Sequence, residues 1–289
     1  MKQQEFIIEM ENSFEPKHIF ECGQCFRWNR EPDGSYTGIF RNNVINVKKD
    51  GKKIIFNGMC KDNIEAVCRE YFDLDTDYEE IKNILSKVDD NLKKSIQYGE
   101  GIRILKQDLW ETIISFIISA NNNIPRIKGI IERLSQKYGQ EIVYNGISYY
   151  TFPTPQELSI ATVEDLRGLG LGFRDKRVYE TTKLILNKQI DLEKLRQITD
   201  SNILREELNK LPGVGDKVAD CIMLFSMKRF DVFPVDVWVR RVMNELYIKN
   251  ADESKVNKQQ IRNLAEQKYG NLAGLAQQYL FYWKRENAS

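Results

Sequence analysis

The order of hydrophobic and polar positions divides the chain into two parts. In residues 1–60, short apolar runs alternate with turn residues such as Asp33-Gly34 and Asp50-Gly51, a pattern typical of antiparallel hairpins. From about residue 63 the apolar spacing becomes helical, and from about residue 105 to the end every segment is predicted to be helical. The predicted strands lie at 26–28, 36–40, 44–47 and 54–56.

Paired capping residues mark the start of two predicted helices. Thr76 and Glu79 have the spacing of a capping box, in which two side chains satisfy free backbone N–H groups. Thr154 and Glu157 have the same spacing. The glycine-rich segment 168–172 separates two further helices. Because a helix rather than a strand precedes it, we do not interpret it as a dinucleotide-binding fingerprint.

Together these patterns predict an α+β protein. We expect an N-terminal antiparallel β-sheet domain with flanking helices over 1–104 and a helical body over 105–289. A chain of 289 residues is long enough for this arrangement. It has no run of about 18 uncharged apolar residues, so we expect no membrane span. Its first residues lack the apolar core of a secretion signal.

The supply of titratable side chains restricts the chemistry. His18 is the only histidine, so a zinc site with two or three histidines is excluded, and a Ser-His-Asp triad would have to use it. Cys22 and Cys25 suggest a metal or redox pair, but two ligands without partners favour packing, and we expect no metal site. The odd number of cysteines, 5, indicates a reduced intracellular protein.

The charge pattern leaves the type of partner open. The net charge of +1 argues weakly against a dedicated nucleic-acid binder. Arg174, Lys176 and Arg177 form a short basic cluster, and Arg240 and Arg241 form another. Each cluster fits a binding surface or, equally, a solvated helix face.

The segment 203–225 has the features of two helices joined by a tight turn. Gly213 and Gly215 let the backbone pass close to another group, and free N–H groups at the start of the second helix suit a phosphate. Lys217 lies in the first turn of that helix, where the helix dipole and any burial favour the neutral amine that a Schiff-base nucleophile requires. Cys221 shares its helical face. The alternative is an ordinary surface lysine after a turn.

A second feature is an aspartate at the end of an extended segment. Pro234 favours extended backbone, and we expect a helix to begin after Asp236. Asp236 then serves as its N-cap. A carboxylate that faces Lys217 would also stabilise a developing sugar cation and move protons. The two roles are compatible, and the sequence leaves both open.

These residues resemble a known family. The run 211–215 with Lys217, followed by Pro234 and Asp236, is similar to the helix–hairpin–helix glycosylase superfamily with its Gly/Pro loop and aspartate. In that resemblance, Lys217 matches the nucleophile that bifunctional members direct at sugar C1′, and Asp236 matches the catalytic carboxylate. The resemblance implies a two-lobed all-α helix–hairpin–helix glycosylase body after the sheet domain. Blocks similar to the 8-oxoguanine DNA glycosylases follow in the family's order at 23–28, 121–126, 169–173 and 276–281.

The resemblance implies roles for the residues of a base pocket. Gly23 matches the glycine whose carbonyl accepts a hydrogen bond from N7–H, a proton that 8-oxoguanine has and guanine lacks. Gln277 matches the residue that contacts the Watson–Crick edge of the base. Phe281 and Cys221 match the two sides of the sandwich that holds it.

The resemblance also implies contacts with the duplex. Asn121 matches the side chain that fills the space left by the flipped base, and Arg126 and Arg174 match arginines that contact the orphaned cytosine. Two positions depart from the family. Phe173 lies where the wedge residue is usually Tyr, and Trp238 lies where a His associated with a 5′-phosphate contact is common. Both changes would relax the preference for cytosine opposite the lesion.

The implied function is bifunctional. We expect a DNA glycosylase and AP lyase of base excision repair that flips 8-oxoguanine out of duplex DNA and removes it by Schiff-base chemistry at Lys217. No metal or organic cofactor is expected, and an iron–sulfur cluster is excluded because only Cys221 lies beyond residue 68. The expected partner is double-stranded DNA with 8-oxoguanine opposite cytosine, bound by a monomer in the cytoplasm or nucleoid of a prokaryote.

Two other functions stay open. A related glycosylase for another damaged base is disfavoured by the blocks around Gly23 and Gln277. A non-catalytic helix–hairpin–helix module would use Lys217 only to contact phosphate. Trapping with borohydride separates this module from the enzyme, because only a Schiff base becomes covalent on reduction.

Overall fold

The structure of the chain, a computed structural model, describes residues 1–287, except for the side chain of Ser254. The last two residues of the predicted helical body lie outside this range.

A five-stranded antiparallel sheet forms the N-terminal part of the chain, as the turn-separated apolar runs predict. The edge strand β1 was not among the predicted strands, because its sequence does not alternate: four polar residues precede Phe6, Ile7 and Ile8. It pairs with the last strand, β5, along its whole length. The spatial order is β1-β5-β4-β3-β2. The strands are β1 Lys2–Glu9, β2 Trp28–Arg30, β3 Tyr36–Phe40, β4 Asn43–Asp50 and β5 Lys53–Cys60.

An aromatic core packs under this sheet. Phe20 lies 4.0 Å from Trp28 between ring centroids, and Phe56 lies 5.1 Å from Phe72. The first helix, α1 Pro16–Glu21, supplies Phe20 and then leads directly into the turn at Gly23. Burial of these rings therefore fixes where that turn lies relative to the sheet.

Helices make up most of the remaining chain. Within residues 1–287, none of them has the length and apolar character needed to cross a membrane. They are α2 Ile64–Tyr71, α3 Tyr78–Ser86, α4 Asp90–Tyr98, α5 Leu109–Ser119, α6 Ile124–Tyr138, α7 Pro155–Leu158, α8 Val163–Gly168, α9 Asp175–Leu186, α10 Leu192–Gln197, α11 Ser201–Leu208, α12 Asp216–Met227, α13 Val237–Met243, α14 Lys258–Tyr269 and α15 Ala273–Glu286. Shorter 3-10 or π turns lie at Gly172–Arg174, Asn244–Ile248, Glu253–Lys255 and Gly270–Leu272.

The helical body contains one β-hairpin, so the prediction of helix throughout 105–289 is wrong at this place. Strands β6 Glu141–Tyr144 and β7 Ile147–Tyr150 pair antiparallel around a two-residue turn. Asn145 and Gly146 occupy that turn with positive φ angles of 51° and 77°. Asn-Gly is the sequence that such a turn favours, because both residues tolerate this backbone conformation.

The two predicted capping boxes have different outcomes. The box of Thr154 and Glu157 is confirmed at the start of α7. The box of Thr76 and Glu79 is wrong: Asp77 caps α3, and its side chain accepts a hydrogen bond from the Glu80 N–H at 3.0 Å. An aspartate next to the predicted threonine can occupy the same cap, and here it displaces the threonine by one residue.

A buried arginine joins separate segments of the N-terminal part. Arg103 is fully buried and donates hydrogen bonds to the carbonyls of Phe72 at 3.0 Å and of Ser13 and Thr76 at 3.1 Å. It also donates to the carbonyl of Asp73. Each of these carbonyls would otherwise be buried without a donor. The arginine therefore joins three separate segments at one point.

The hydrophobic core of the helical body reaches across the predicted domain boundary. It includes Cys22 and Phe26 from the N-terminal part, and α4 packs against α15. The division at residue 104 stays a prediction. The aromatic core under the sheet and the core of the helical body therefore adjoin, and the turn at Gly23 lies where they meet.

Candidate active site

A narrow cleft lies where four segments of the chain meet. Its volume is about 310 Å³, including open solvent at its mouth. The segments are the turn after α1, the buried helix α5, the helix α12 with the loop before α13, and the C-terminal helix α15. The cleft brings together every predicted catalytic and base-binding residue. Its lining is Gly23, Phe116, Lys217, Cys221, Phe225, Pro234, Asp236, Gln277, Gln278 and Phe281.

Lys217 lies in the first turn of α12, as predicted, with its side chain half-buried in the cleft. Its Nζ lies 5.5 Å from the centroid of the Phe116 ring. One turn later, burial raises the pKa of the Cys221 thiol to about 11, although the charge of Lys217 opposes the shift. The thiol is therefore protonated near neutral pH and gives Lys217 a neutral, apolar neighbour.

The face of α12 beside Lys217 is anchored by charge. Asp220 is fully buried, and its carboxylate accepts a hydrogen bond from Arg205 of α11 at 2.7 Å. Asp216 forms an ion pair with Arg262 of α14 at 2.9 Å. Two neighbouring helices, α11 and α14, thus hold α12 on the side next to Lys217, and this fixes the rotation of the helix that carries Lys217.

Asp236 is the N-cap of α13. Its Oδ1 accepts a hydrogen bond from the Val239 N–H at 2.8 Å, which confirms the capping role. Burial raises the pKa of this carboxyl, while the N–H groups of Val239 and Trp238 and the charge of Lys217 oppose the shift. Asp236 therefore faces the cleft as a desolvated carboxyl, and its catalytic role remains a prediction.

The opposite wall of the cleft is a left-handed turn. Gly23 has a φ angle of 82°, which residues with a side chain rarely adopt. The buried Gln24 holds the turn by donating to the carbonyls of Ile19 at 2.9 Å and Arg103 at 2.8 Å, and it accepts from the Leu105 N–H. Among residues 1–287, no group donates a hydrogen bond to the Gly23 carbonyl. The turn thus presents an acceptor that is held in place from behind.

Two adjacent glutamines of α15 form the floor of the cleft. Gln277 and Gln278 are both buried, and the Gln278 side chain donates to Gln277 Oε1 at 2.8 Å. The Gln278 Oε1 atom is buried and has no partner among the described residues. Phe281 lies one turn after Gln277 and is half-buried. The floor therefore offers amide groups, and Phe281 offers one apolar wall.

The predicted duplex-contacting residues lie on two neighbouring loops. Asn121 is exposed just after α5 and has a positive φ of 51°. Phe173 projects from the turn Gly172–Arg174 with 55% of its surface exposed. Arg126 is exposed in the first turn of α6, and its Nη2 lies 3.4 Å from the carbonyl of Gly170, in the loop before Phe173. The structure brings these three side chains to one surface.

Arg174 lies beneath that surface. It is 1% exposed and donates to the carbonyls of Ala120 at 2.8 Å, Leu171 at 3.2 Å and Asn121 at 2.7 Å. Its guanidinium carbon lies 4.2 Å from the centroid of the Phe173 ring. The structure therefore places Arg174 as the support of the Asn121 and Phe173 loops, and its contact with cytosine stays a prediction that requires these bonds to open.

The loop between α11 and α12 adjoins the same surface. Gly213 has a φ of 84°, and a Cβ there would lie 2.5 Å from Cδ of Arg177, which also lies over the Phe173 ring at 5.1 Å. At Gly215 a Cβ would meet nothing within 4 Å, and no side chain caps α12. No contact within the protein requires glycine at position 215. The space around its Cα is open to an approaching group.

Trp238 lies in the first turn of α13 and is half-buried. The guanidinium carbon of Arg241 lies 5.1 Å from its ring. Any phosphate contact that replaces the family's histidine would therefore involve a tryptophan already packed against a cation. The phosphate contact of Trp238 stays a prediction.

Sequence reasoning missed several residues of the site. Phe116 and Phe225 lie in long buried apolar stretches of α5 and α12, where nothing in the pattern separates a cleft wall from the core. Gln278 lies within a block that resembles the family but carries no predicted role. Arg177 was assigned only to a basic cluster; the glycine at 213 is the signal that a neighbouring side chain passes close to the loop.

The cysteines show no sign of metal or disulfide chemistry. All five are buried and free. Among residues 1–287, no group of three or more His, Cys, Asp or Glu side chains is arranged to hold a metal ion.

Two family models match the chain in consecutive segments. Residues 6–113 match the N-terminal domain of 8-oxoguanine DNA glycosylase. Residues 114–269 match the HhH-GPD superfamily of base excision DNA repair proteins.

Individual proteins are similar over most of the chain. A probable N-glycosylase/DNA lyase of Methanothermobacter thermautotrophicus is 34% identical over 75% of this chain and 73% of its own length. An N-glycosylase/DNA lyase of Saccharomyces cerevisiae is 31% identical over 91% of this chain and 81% of its own. A crystal structure of Clostridium acetobutylicum 8-oxoguanine glycosylase/lyase, in complex with double-stranded DNA containing cytosine opposite 8-oxoG, superposes with a TM-score of 0.92 and 44% identity, covering 100% of this chain and 99% of that one.

Proposed function

The chain belongs to the HhH-GPD superfamily of base excision DNA repair proteins, and from that membership we propose that it is a bifunctional 8-oxoguanine DNA glycosylase and AP lyase. One observation carries the proposal. A single cleft joins an amine and a carboxyl, Lys217 and Asp236, to the free carbonyl of Gly23 and the walls formed by Cys221 and Phe281. Chemistry at a sugar and recognition of a base therefore occur in one place.

Base recognition follows from the polarity of the Gly23 carbonyl. 8-Oxoguanine carries a proton on N7 and can donate to this acceptor, whereas guanine presents a lone pair there. With guanine in the cleft, the Gly23 carbonyl and the N7 lone pair would face each other without a hydrogen bond, which costs roughly 1–3 kcal/mol. Gln277 supplies amide groups for the Watson–Crick edge, after its present bond to Gln278 is exchanged for the base.

The chemistry uses Lys217 as the nucleophile. Its neutral amine attacks C1′, the bond between C1′ and the base breaks, and the electron pair leaves with the base, which takes up a proton. Asp236 stabilises the positive charge that develops on the sugar, accepts the proton that the amine loses and transfers it to the departing base. The sugar ring then opens to give a Schiff base on Lys217, and loss of a C2′ proton expels the 3′ phosphate by β-elimination.

The surface of Asn121, Arg126 and Phe173 receives the distorted duplex. Phe173 is exposed and flat enough to enter the minor groove, and Asn121 is placed to fill the space that the flipped base leaves. Arg126 is exposed for contact with the opposite cytosine. Arg174 holds the two loops from beneath.

The partner and location follow from the same reading. We propose that the enzyme acts as a monomer on double-stranded DNA with 8-oxoguanine opposite cytosine, in the nucleoid or cytoplasm of a prokaryote. Five free, buried cysteines are compatible with a reducing compartment.

Strand cleavage tests the proposal. Duplexes with 8-oxoguanine opposite each of the four bases, and an undamaged duplex, are incubated with the wild type and with Lys217→Gln. We expect the wild type to cleave only damaged duplexes and the variant to bind without cleaving. Binding without cleavage by the wild type would favour a non-catalytic DNA-binding module. Cleavage at another damaged base, with 8-oxoguanine untouched, would favour a related glycosylase.

A further inference from the structure

We propose that Arg285 is a positioning residue for base recognition, which sets the distance between the Gly23 turn and the Phe281 ring. This inference rests on the proposed function, because those two groups are the walls that would hold the flipped base. Arg285 does not line the cleft itself.

The contacts of Arg285 join two distant parts of the chain. Its Nη2 donates to the carbonyl of Glu21, the last residue of α1 and two residues before Gly23. Its guanidinium carbon lies 5.3 Å from the centroid of the Phe281 ring. Phe281 and Arg285 are one turn apart on α15, so the arginine packs on the ring from the same helical face. One planar group thus spans from the turn to the ring.

The fit at Gly23 is close. A Cβ on Gly23 would lie 3.3 Å from Nη1 of Arg285 and 3.3 Å from Phe281. Even the smallest side chain at Gly23 would therefore press on both groups, and a change in the arginine is expected to change the position of both walls. A shift of about 1 Å between groups that orient a substrate is enough to lower a rate by about a hundredfold.

A purely structural role does not account for this arginine. Its Nη1 atom is buried and has no hydrogen-bond partner among the described residues. Burying a guanidinium donor without an acceptor is unfavourable, and an apolar side chain of similar length would fill the space without that penalty. Glu286 accepts from Nε at 3.1 Å and from Nη2 at 2.9 Å, so Nη2 is shared between Glu286 and the Glu21 carbonyl, and neither bond satisfies Nη1.

Base excision and cleavage of an abasic site can be measured separately. The comparison distinguishes a role of Arg285 in positioning the base from a role in the stability of the whole protein. Excision needs the base to be held between Gly23 and Phe281. Cleavage of a preformed abasic site needs Lys217 and Asp236 but no base. Loss of the Arg285 contacts should therefore lower excision of 8-oxoguanine and spare β-elimination at an abasic site.

The experiment uses three variants of the full chain under single-turnover conditions. Arg285→Met removes the hydrogen bond and the charge, and Arg285→Lys keeps the charge without the planar group. Glu286→Gln is the matched control, because it removes the negative charge beside the guanidinium but keeps a side-chain oxygen that accepts from it. We expect Arg285→Met and Arg285→Lys to lower 8-oxoguanine excision by about tenfold or more, with abasic-site cleavage within about threefold of wild type. Glu286→Gln should match the wild type in both assays. The intact abasic-site activity also shows that the variants are folded.

Several results would overturn the inference. Unchanged excision in Arg285→Met shows that the contacts do not matter. An equal fall in both activities shows that Arg285 acts on folding or, through its charge, on Asp236. Full recovery of excision by Arg285→Lys shows that charge, not geometry, is the cause. If the wild type cleaves neither substrate, the proposed function itself fails, which is a different outcome from any of these.

Discussion

At the scale of single residues, one substitution separates the capping role of Asp236 from its proposed catalytic role. Asparagine caps a helix as well as aspartate does, because its side-chain oxygen also accepts from the N–H three residues on. We expect Asp236→Asn to leave the free energy of unfolding within about 0.5 kcal/mol of wild type while lowering excision by about a hundredfold or more. Thermal unfolding and single-turnover cleavage measure the two effects. A large loss of stability with unchanged chemistry would assign Asp236 to the cap alone.

The acid side of the pH profile also depends on Asp236. Since burial raises the pKa of this carboxyl, it takes up a proton at a higher pH than an ordinary aspartate, which titrates near 4. Activity that requires the carboxylate is then present above this raised pKa and falls as the pH drops through it. NMR titration of the labelled side chain measures the value directly. A pKa at or below about 4 would contradict the account.

At the scale of elements, the two glycines before α12 have different reasons for being glycine. Gly213 has a left-handed backbone and Arg177 packed against it, so Gly213→Ala should destabilise the fold by about 1–2 kcal/mol. Gly215 has ordinary φ and open space around its Cα, so Gly215→Ala should change stability by at most about 0.5 kcal/mol.

The two glycine variants are also compared in their affinity for DNA. A methyl group at 215 obstructs a phosphate that approaches the N–H groups of α12, and we expect duplex affinity to fall by about tenfold or more. Fluorescence anisotropy with an undamaged duplex measures this loss without chemistry. If Gly215→Ala binds as the wild type does, the loop does not approach DNA through this residue.

The elements that the sequence predicts well are those with a strong local signal. The sheet, the helix at Thr154 and the helix of Lys217 each have periodicity together with a turn or cap. Strand β1 was missed because its sequence does not alternate and therefore has a weak pattern. The β6–β7 hairpin was missed although Asn145-Gly146 is a direct turn signal, because the surrounding segments are helical.

The members of the site were predictable where a residue matches a family motif at a single position. The resemblance placed Gly23, Lys217 and Asp236 in one pocket, and the structure brings them together. The burial of Arg174 was not predictable, because sequence position alone does not show which carbonyls an arginine will reach. The same reason applies to Arg285, whose partner Glu21 lies 264 residues away along the chain.

At the scale of the whole molecule, the sheet and the helical body should unfold together. Arg103 satisfies buried carbonyls from two segments, at Ser13 and in the loop 72–76. Asp73 of that loop forms an ion pair with Lys228 of the helical body, and Cys22 and Phe26 complete the core of the helical body. Arg103→Met leaves buried carbonyls without a donor and should lower the free energy of unfolding by about 3 kcal/mol or more. The surface arginine Arg69, whose ion pairs are exposed, is the matched control, and Arg69→Met should change stability by less than about 1 kcal/mol.

Amide hydrogen exchange in increasing denaturant shows whether the two parts separate. In the wild type, we expect strands β3 to β5 and helix α12 to lose protection at the same denaturant concentration. In Arg103→Met, the sheet should lose protection first. Separate transitions already in the wild type would show that the two parts are independent, and the wall formed by Gly23 would then be only loosely held.

The most direct test of the central claim locates the covalent bond. The wild type is mixed with a duplex that contains 8-oxoguanine opposite cytosine, borohydride is added, and the trapped complex is digested and examined by mass spectrometry. The account predicts a reduced sugar remnant on Nζ of Lys217. An adduct on a different lysine or on the N-terminal amine, or cleavage with no adduct at all, would contradict it.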